Sequence, residues 1–189
     1  MVYEGEHVSI ASLNDKIKDL TIVINGVSKT YAMTGWRIGY AAANEKIAKI
    51  MANIQSHASS NPNSIAQAAA LAALEGSMDE ALRMKRHFEK RRNFMVETIN
   101  EMKDVSCLNP HGAFYILMSI KKLIGRELYG TVINNADDFA DVFLKVAKVA
   151  VVPGTGFGAP EHVRWSYATS MDNIVEGLER LKKFLAGKF

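Results

Sequence analysis

Two apolar runs flank a short polar segment near the start of the chain, and this arrangement constrains the fold more than any other feature. Residues 20–25 (LTIVIN) and 38–43 (IGYAAA) are each long enough for a buried β-strand. The residues between them are rich in glycine and polar side chains, and they include Lys29 and Arg37. Because a sheet fixes the ends of such a loop, we predict that functional side chains lie on it.

The composition permits a sizeable core and excludes several classes of protein. The 189 residues suffice for one large domain or two small ones, and 48% of them are apolar. No apolar run approaches the length of a membrane span, and residues 1–6 lack the features of a secretory signal. The single cysteine, Cys107, excludes an internal disulfide framework. We therefore expect a cytoplasmic protein with no membrane partner.

A basic run stands out against the mild net charge of +3. Residues 83–92 (RMKRHFEKRR) could bind nucleic acid, since such partners select clustered lysine and arginine. Apolar residues interleave with these charges at helical spacing, which favours the solvated face of a helix. No recognition motif accompanies the run, so we expect no nucleic-acid partner.

Hydrophobic periodicity predicts three successive helices in the first half of the chain. They cover residues 45–57, residues 62–75 with Asn61 as N-cap, and residues 77–103, where Ser77 and Glu80 fit a capping box. A helix of about 25 residues spans about 40 Å, which suits a link between domains. We therefore place a boundary within the third helix, which gives domains 1–85 and 86–189.

The second half mixes shorter elements, and the first 19 residues are expected to be irregular. Predicted strands cover residues 112–119, 149–152 and 163–168, predicted helices cover 137–148 and 172–186, and a loop is expected at 121–135.

Lys29 and Arg37 each allow an ordinary and a catalytic interpretation when taken by themselves. A lysine attacks an aldehyde only as the neutral amine, which a nearby cation favours, but a surface lysine is the commoner case. A guanidinium can hold a phosphate or carboxylate through paired hydrogen bonds, or it can form a structural ion pair. The hydroxyl of Ser28 could bond the same phosphate or shape a turn.

Three other catalytic patterns fit the sequence poorly. The glycine-rich segment 154–158 suggests a dinucleotide loop, but Pro160 follows and no βαβ unit is completed. Ser28 beside Lys29 could form a hydrolase dyad, but adjacent residues of an extended chain point apart. The five histidines have no metal-ligand spacing among themselves or with Cys107, so we predict no metal site.

Residues 28–40 (SKTYAMTGWRIGY) resemble the lysine signature of class I pyridoxal-phosphate-dependent aminotransferases, most closely the aspartate and aromatic aminotransferase branch. The resemblance implies an α/β chain with a partial PLP-transferase fold. A remnant of the large domain, a strand pair plus helices, would precede an α+β small domain. Four further segments resemble the family in the same order, namely 59–67 (SSNPNSIAQ), 112–115 (GAFY), 152–158 (VPGTGFG) and 163–170 (VRWSYATS).

The resemblance implies roles for particular residues. Lys29 would carry pyridoxal 5'-phosphate as an internal aldimine and move a proton at the substrate α-carbon. Arg37, with Ser28 as a second candidate, would bind the cofactor phosphate. Arg164, which alone would be taken for a charge at a strand edge, would grip the substrate α-carboxylate through a bidentate pair. The implied reaction moves an amino group between an α-amino acid and a 2-oxo acid. Aspartate is the first candidate for the amino acid, and aromatic amino acids are the second.

The resemblance covers nearly the whole chain but only the later part of the family's fold. Residues 2–5 (VYEG) are similar to the sequence that follows the family's Asp-x-x-Tyr motif, whose aspartate pairs with the cofactor ring nitrogen. We therefore expect an incomplete piece that is inactive alone, with a homodimer or a separate N-terminal half as partner. The alternative is a non-catalytic interaction or oligomerisation module, because a half-domain would leave apolar surface uncovered.

Overall fold

The computed structural model describes all 189 residues, which divide into two compact units. The N-unit comprises Gly5–Arg83, and the C-unit comprises Met84–Phe189 together with Met1–Glu4. The assignment of residues 1–85 and 86–189 to a larger and a smaller domain of the family's fold stays a prediction. The helices of both units are too short or too polar to traverse a lipid bilayer.

An antiparallel hairpin and helices build the N-unit. Strand β1 (Val23–Gly26) pairs with β2 (Gly39–Ala42), so both expected strands are present. The expectation that they are buried is wrong in this chain, because every side chain of β2 is exposed and those of β1 are exposed or half-buried. A sheet of only two strands leaves its faces uncovered. The helices of this unit are α1 (Asp15–Asp19), α2 (Glu45–Ala58) and α3 (Ser64–Glu75).

Asparagine side chains cap these three helices. Asn14, Asn44 and Asn63 each accept a hydrogen bond from a backbone N–H in the first turn, at 3.0 or 3.1 Å. Each cap satisfies a donor that has no partner within the helix. The prediction that α3 begins at Pro62 with Asn61 as its cap is wrong, because the Asn61 amide donates to the carbonyl of Pro62 instead.

The long helix α4 (Asp79–Asn100) is shorter at both ends than the predicted helix of residues 77–103. Ser77 accepts a hydrogen bond from the backbone of Asp79 at 3.1 Å, and Glu80 pairs with Arg83 rather than closing a capping box. The basic run of this helix is not uniformly solvated, because Arg92 is only 4% exposed. Helical periodicity turns this one cation inward while its neighbours remain at or near the surface.

A four-stranded antiparallel sheet forms the centre of the C-unit. Its strand order is β3-β4-β8-β7, with β3 at Ser106–Cys107, β4 at Tyr115–Ser119, β7 at Val152–Pro153 and β8 at His162–Ser166. Helices α5 (Ala136–Ala147) and α6 (Met171–Leu185) pack with it. The segment expected to be a loop at 121–135 contains a small hairpin, β5 (Glu127–Leu128) with β6 (Thr131–Val132), whose strands are too short to leave a periodic pattern.

Alternation along β4 and β8 separates a core face from an open face. Ile116 and Met118 of β4, with Val163 and Trp165 of β8, are buried in the core. The residues between them, among them Arg164, lie on the other face of the pleat. The core also holds three phenylalanine rings whose centroids are 5.0 to 5.8 Å apart, Phe139, Phe143 and Phe184.

The first four residues belong to the C-unit through backbone pairing. Val2 forms a β-bridge with Gly112, and the backbone N–H of Ala113 donates to the carbonyl of Met1 at 2.9 Å. The hydroxyl of Tyr3 donates to the carbonyl of Ala113 at 2.7 Å. Burial raises the pKa of the Tyr3 phenol.

Glu4 faces the buried cation of α4. The guanidinium of Arg92 donates to the Glu4 carboxylate at 3.0 Å and to the carbonyl of Pro110 at 2.9 Å. It also donates to the amide oxygen of Asn93 at 2.9 Å and lies 4.7 Å from the ring centroid of Tyr3. A buried charge is tolerated only when it is paired and hydrogen-bonded, so residues 1–4 complete this unit.

Candidate functional site

The loop between β1 and β2, residues 27–38, carries three of the predicted site residues. It starts at Val27, which is 1% exposed and accepts a hydrogen bond from the backbone N–H of Tyr31 at 3.2 Å. Ser28 is half-buried and Lys29 is exposed within this turn. The carbonyl of Lys29 accepts from the backbone N–H of Ala32 at 3.3 Å. The turn therefore fixes the main chain from which the lysine side chain projects.

Arg37 closes the same loop after the short 3₁₀ helix Thr34–Trp36. Its backbone has φ +51°, in the left-handed region that residues other than glycine seldom adopt. The guanidinium donates to the carbonyl of Thr34 at 2.9 Å and forms no ion pair. The structural ion pair considered from the sequence is therefore absent, and the remaining N–H groups of this exposed cation can bind an anion.

The donor set of this loop fits a phosphorylated aldehyde such as pyridoxal 5'-phosphate. A guanidinium and a hydroxyl are suitable ligands for phosphate oxygens, and Arg37 and Ser28 supply both from one loop. Lys29 supplies a primary amine, which is the group that combines with an aldehyde carbon. The short hairpin connection therefore holds, within a dozen residues, the two kinds of group that such a cofactor needs.

Arg164 lies on β8, which is an inner strand of the C-unit sheet rather than an edge. It stands opposite Leu117 of β4 and Val152 of β7. Its guanidinium carbon is 4.4 Å from the ring centroid of Tyr115 and 4.8 Å from that of Phe157. The guanidinium makes no ion pair or hydrogen bond within the chain, so its N–H groups can receive a carboxylate.

A cleft of about 560 Å³ opens beside Arg164 on the face of the sheet away from the core. Apolar and polar groups both line it, including Leu117, Ser119 and His162. One cation among mostly apolar walls is suited to a small organic acid, because the charge fixes the acid group and the walls can contact its carbon chain.

Cys107 lines the same cleft, and burial raises the pKa of its thiol to about 11. Because only the thiolate reacts, we expect alkylation by iodoacetamide at pH 8 to be roughly 10- to 100-fold slower than for an unperturbed cysteine, even allowing for its greater nucleophilicity. The rate should rise about tenfold per pH unit up to about pH 11, as the thiolate fraction grows. Mass spectrometry of timed samples measures it. Urea-unfolded chain is the control, and a plateau above pH 9 in the folded chain would contradict the expectation.

The predicted site residues fall in both units. Ser28, Lys29 and Arg37 share one loop of the N-unit, and Arg164 belongs to the C-unit. Sequence reasoning missed the aromatic rings beside Arg164. The signal for them is indirect, since they stand in segments 112–115 and 152–158, which resemble motifs of the family.

Known proteins match this chain along almost its whole length. Residues 1–181 match the profile of the family described as aminotransferase class I and II. The aspartate aminotransferase of Bacillus subtilis (strain 168) is 47% identical over 186 residues, which cover 98% of this chain and 46% of that protein. That of Geobacillus stearothermophilus is 43% identical over 189 residues, which cover 100% of this chain and 47% of that protein.

Solved structures give the same result. The crystal structure of the aspartate aminotransferase from Rhizobium meliloti superposes with a TM-score of 0.92 at 41% identity, covering 98% of this chain and 47% of that one. The aromatic aminotransferase from Pyrococcus horikoshii OT3 superposes with a TM-score of 0.87 at 35% identity, covering 98% and 48%. The chain therefore spans about half the length of the relatives that it matches.

Proposed function

Since the chain belongs to the class I and II aminotransferases, a pyridoxal-phosphate-dependent family, we propose that it supplies the lysine and the substrate-binding arginine of an aspartate aminotransferase site. The family, the partial PLP-transferase fold and the cofactor that the sequence predicted are confirmed by the match. The proposed reaction moves an amino group from an α-amino acid to a 2-oxo acid. Aspartate is the proposed donor because the most similar relatives quoted above are aspartate aminotransferases, and aromatic acids are the second choice.

The observation that carries this proposal is the loop of residues 27–38, which presents an amine, a guanidinium and a hydroxyl together. Arg37 and Ser28 are proposed to hold the cofactor phosphate. Lys29 is proposed to bind the cofactor aldehyde and to accept the proton from the substrate α-carbon as general base. Pyridoxal 5'-phosphate, when bound, supplies an electron sink for the negative charge that develops at that carbon.

Arg164 is proposed to bind the α-carboxylate of the substrate. A guanidinium and a carboxylate form two parallel hydrogen bonds, which fix the orientation of the acid as well as its position. The absence of any acidic partner within the chain supports this role, because the donors of Arg164 are available. A carboxylate fixed in this way restricts the bound acid to one orientation.

Turnover is proposed to need more of the fold than these 189 residues. The relatives are about twice as long as this chain. The exposed side chains of the β1–β2 pair support the proposal that further elements of the complete fold cover this pair. We propose that the active form is a cytoplasmic homodimer, with a separate N-terminal half as the other candidate partner. Alone, the chain is expected to show no transamination.

The test is a chimera in which the unmatched part of the Bacillus subtilis relative completes this chain. We expect the chimera to transaminate aspartate with a 2-oxo acid at a higher kcat/KM than phenylalanine, and the isolated chain to be inactive. Borohydride reduction with pyridoxal 5'-phosphate, followed by peptide mapping, is expected to label Lys29. A folded chimera that binds the cofactor at another lysine, or has no activity towards any amino acid, would contradict the proposal.

A second candidate function is that of a non-catalytic interaction module. It is favoured by large apolar side chains on the surface of the N-unit, with Leu20 84% and Ile24 81% exposed. Exposed apolar patches of this kind mark protein interfaces, and a second copy of the chain is the proposed partner. Sedimentation of the isolated chain tests it. A dimer that Ile24→Glu dissociates would support this function, and a monomer at all concentrations would contradict it.

A further inference from the structure

We propose that Tyr115 and Phe157 are positioning residues that form an aromatic clamp around the Arg164 guanidinium and hold it ready for a carboxylate. The inference rests on the proposed function of Arg164 as a carboxylate ligand, and it assigns to two further residues the task of fixing that ligand. The two ring centroids lie 4.4 and 4.8 Å from the guanidinium carbon, within the range of cation–π contact.

The two rings restrain a side chain that no ion pair or hydrogen bond of the chain holds in place. An arginine side chain has many rotamers, and binding a carboxylate through two parallel bonds requires one of them. Several other arginines of this chain are oriented by acidic groups, as Arg180 is by Glu176 at 2.7 Å. Arg164 has no such acid and no hydrogen bond from its guanidinium, so the two rings are the groups that restrain it.

Aromatic contact is the suitable restraint for a cation that must stay available. An aromatic π-system attracts the flat face of a guanidinium, whereas the N–H donors of the guanidinium point outward in the guanidinium plane. A carboxylate approaches in that plane, so it does not compete with the rings. An acidic restraint would instead occupy the donors and neutralise the charge that the substrate needs.

Tyr115 reaches Arg164 through the register of the sheet. Residue 115 stands opposite Ser166, and Leu117 stands opposite Arg164, so Tyr115 and Arg164 are diagonal neighbours on one face. Diagonal neighbours of an antiparallel pair lie within reach of an aromatic side chain. The ladder between β4 and β8 therefore fixes this half of the clamp.

Phe157 reaches Arg164 from the loop that follows β7, and that loop is tightly tied. The backbone N–H of Gly154 donates to the carbonyl of His162 at 2.8 Å, and that of Phe157 donates to the carbonyl of Gly154 at 2.8 Å. A Cβ at Gly154 would lie 2.3 Å from the carbonyl oxygen of Ala159, so only glycine fits there.

The exposure of Phe157 follows from this construction. Its side chain is 63% exposed, and its ring contacts the Arg164 guanidinium. The hydroxyl of Thr155 hydrogen-bonds the carboxylate of Asp137 on α5, which ties the loop to a helix as well as to the sheet. The fixed loop thus holds an apolar ring beside the Arg164 guanidinium.

The test compares Phe157→Leu, Tyr115→Leu and Phe157→Tyr in the full chain, with Phe189→Leu as the matched exposed control. Two readouts are used: the NMR signal of the Arg164 side-chain Nε–H group, and titration with succinate as the carboxylate probe. Either leucine variant is expected to shift and broaden the Arg164 signal and to raise the succinate Kd by roughly two- to fivefold. Phe157→Tyr keeps a ring and should retain both properties, as should the control.

An Arg164→Gln variant separates the two possible failures. If wild type and Arg164→Gln bind succinate equally, or neither binds it, the proposed function of Arg164 is overturned and the clamp with it. If Arg164→Gln loses binding but both leucine variants keep the Arg164 signal and the wild-type Kd, the clamp alone is overturned. Circular dichroism of each variant verifies that the fold is retained, and recovery in Phe157→Tyr separates loss of the ring from local disorder.

Discussion

Replacing Lys29 by arginine in the completed chimera is expected to lower kcat by about 10⁴-fold, the upper end of what one acid–base group contributes. Arginine keeps the positive charge and the length of the side chain, but in proteins it stays protonated. It can therefore neither combine with the cofactor aldehyde nor accept a proton from the substrate α-carbon. The loop of residues 27–38 is expected to keep its shape, because its turns are held by main-chain hydrogen bonds.

The matched control is Lys46→Arg, which changes an exposed lysine of α2 in the same way. It should leave kcat within about twofold, as surface substitutions have small effects. The decisive measurement is kcat with saturating aspartate and 2-oxo acid, accompanied by borohydride reduction and peptide mapping. Retention of turnover within tenfold of the wild type in Lys29→Arg would show that another group holds the cofactor and moves the proton.

Truncating Phe184 to alanine is expected to lower the free energy of unfolding of the C-unit by about 3–5 kcal/mol. The ring is fully buried, and its centroid lies within 5.8 Å of those of Tyr129, Phe139 and Phe143. The loss combines the transfer free energy of the ring with the cost of the cavity it leaves, since three surrounding rings cannot collapse together into the space.

Urea unfolding followed by the fluorescence of Trp165 measures this loss in the C-unit alone. Trp165 is buried in that core, and a Trp36→Phe background removes the other tryptophan. The matched control is Phe189→Ala, because this phenylalanine is 51% exposed near the end of the chain. It should shift stability by less than about 0.5 kcal/mol. Equal midpoints for the two variants would mean that the aromatic cluster adds little to stability.

Local patterns predicted the longer helices well, because an amphipathic stripe depends only on residues close in sequence. They missed the short helix α1, which lies in a segment expected to be irregular. The ends of α2 and α6 were predicted to within one residue. The beginning of α3 was not, because Asn61 and Asn63 are both good caps and only the packed structure selects one. Burial of the two strands was also misjudged, since it depends on what covers a sheet rather than on the strand itself.

Contacts between distant residues were beyond the reach of the sequence. The loop that holds Lys29 is continuous, so its residues could be recognised together. The surroundings of Arg164 come from three separate segments, and their meeting depends on strand register and on the loop after β7. The ion pair of Arg92 could not be predicted either, because its partner Glu4 is 88 residues away.

The placement of Met1–Glu4 in the C-unit makes that unit discontinuous in sequence. The hydroxyl of Tyr3 meets its acceptor across 110 positions, so the unit is finished only when a very long loop has closed. Loop-closure entropy rises slowly with length, by about 0.6 kcal/mol per doubling, so insertions within Gly5–Arg83 should weaken this closure little. A cut after Glu4 would have a larger effect. Residues 1–4 would then bind the C-unit only at their concentration in solution, and not at the higher effective concentration that covalent linkage provides. The intervening chain is therefore a tether, and its continuity keeps a carboxylate beside Arg92.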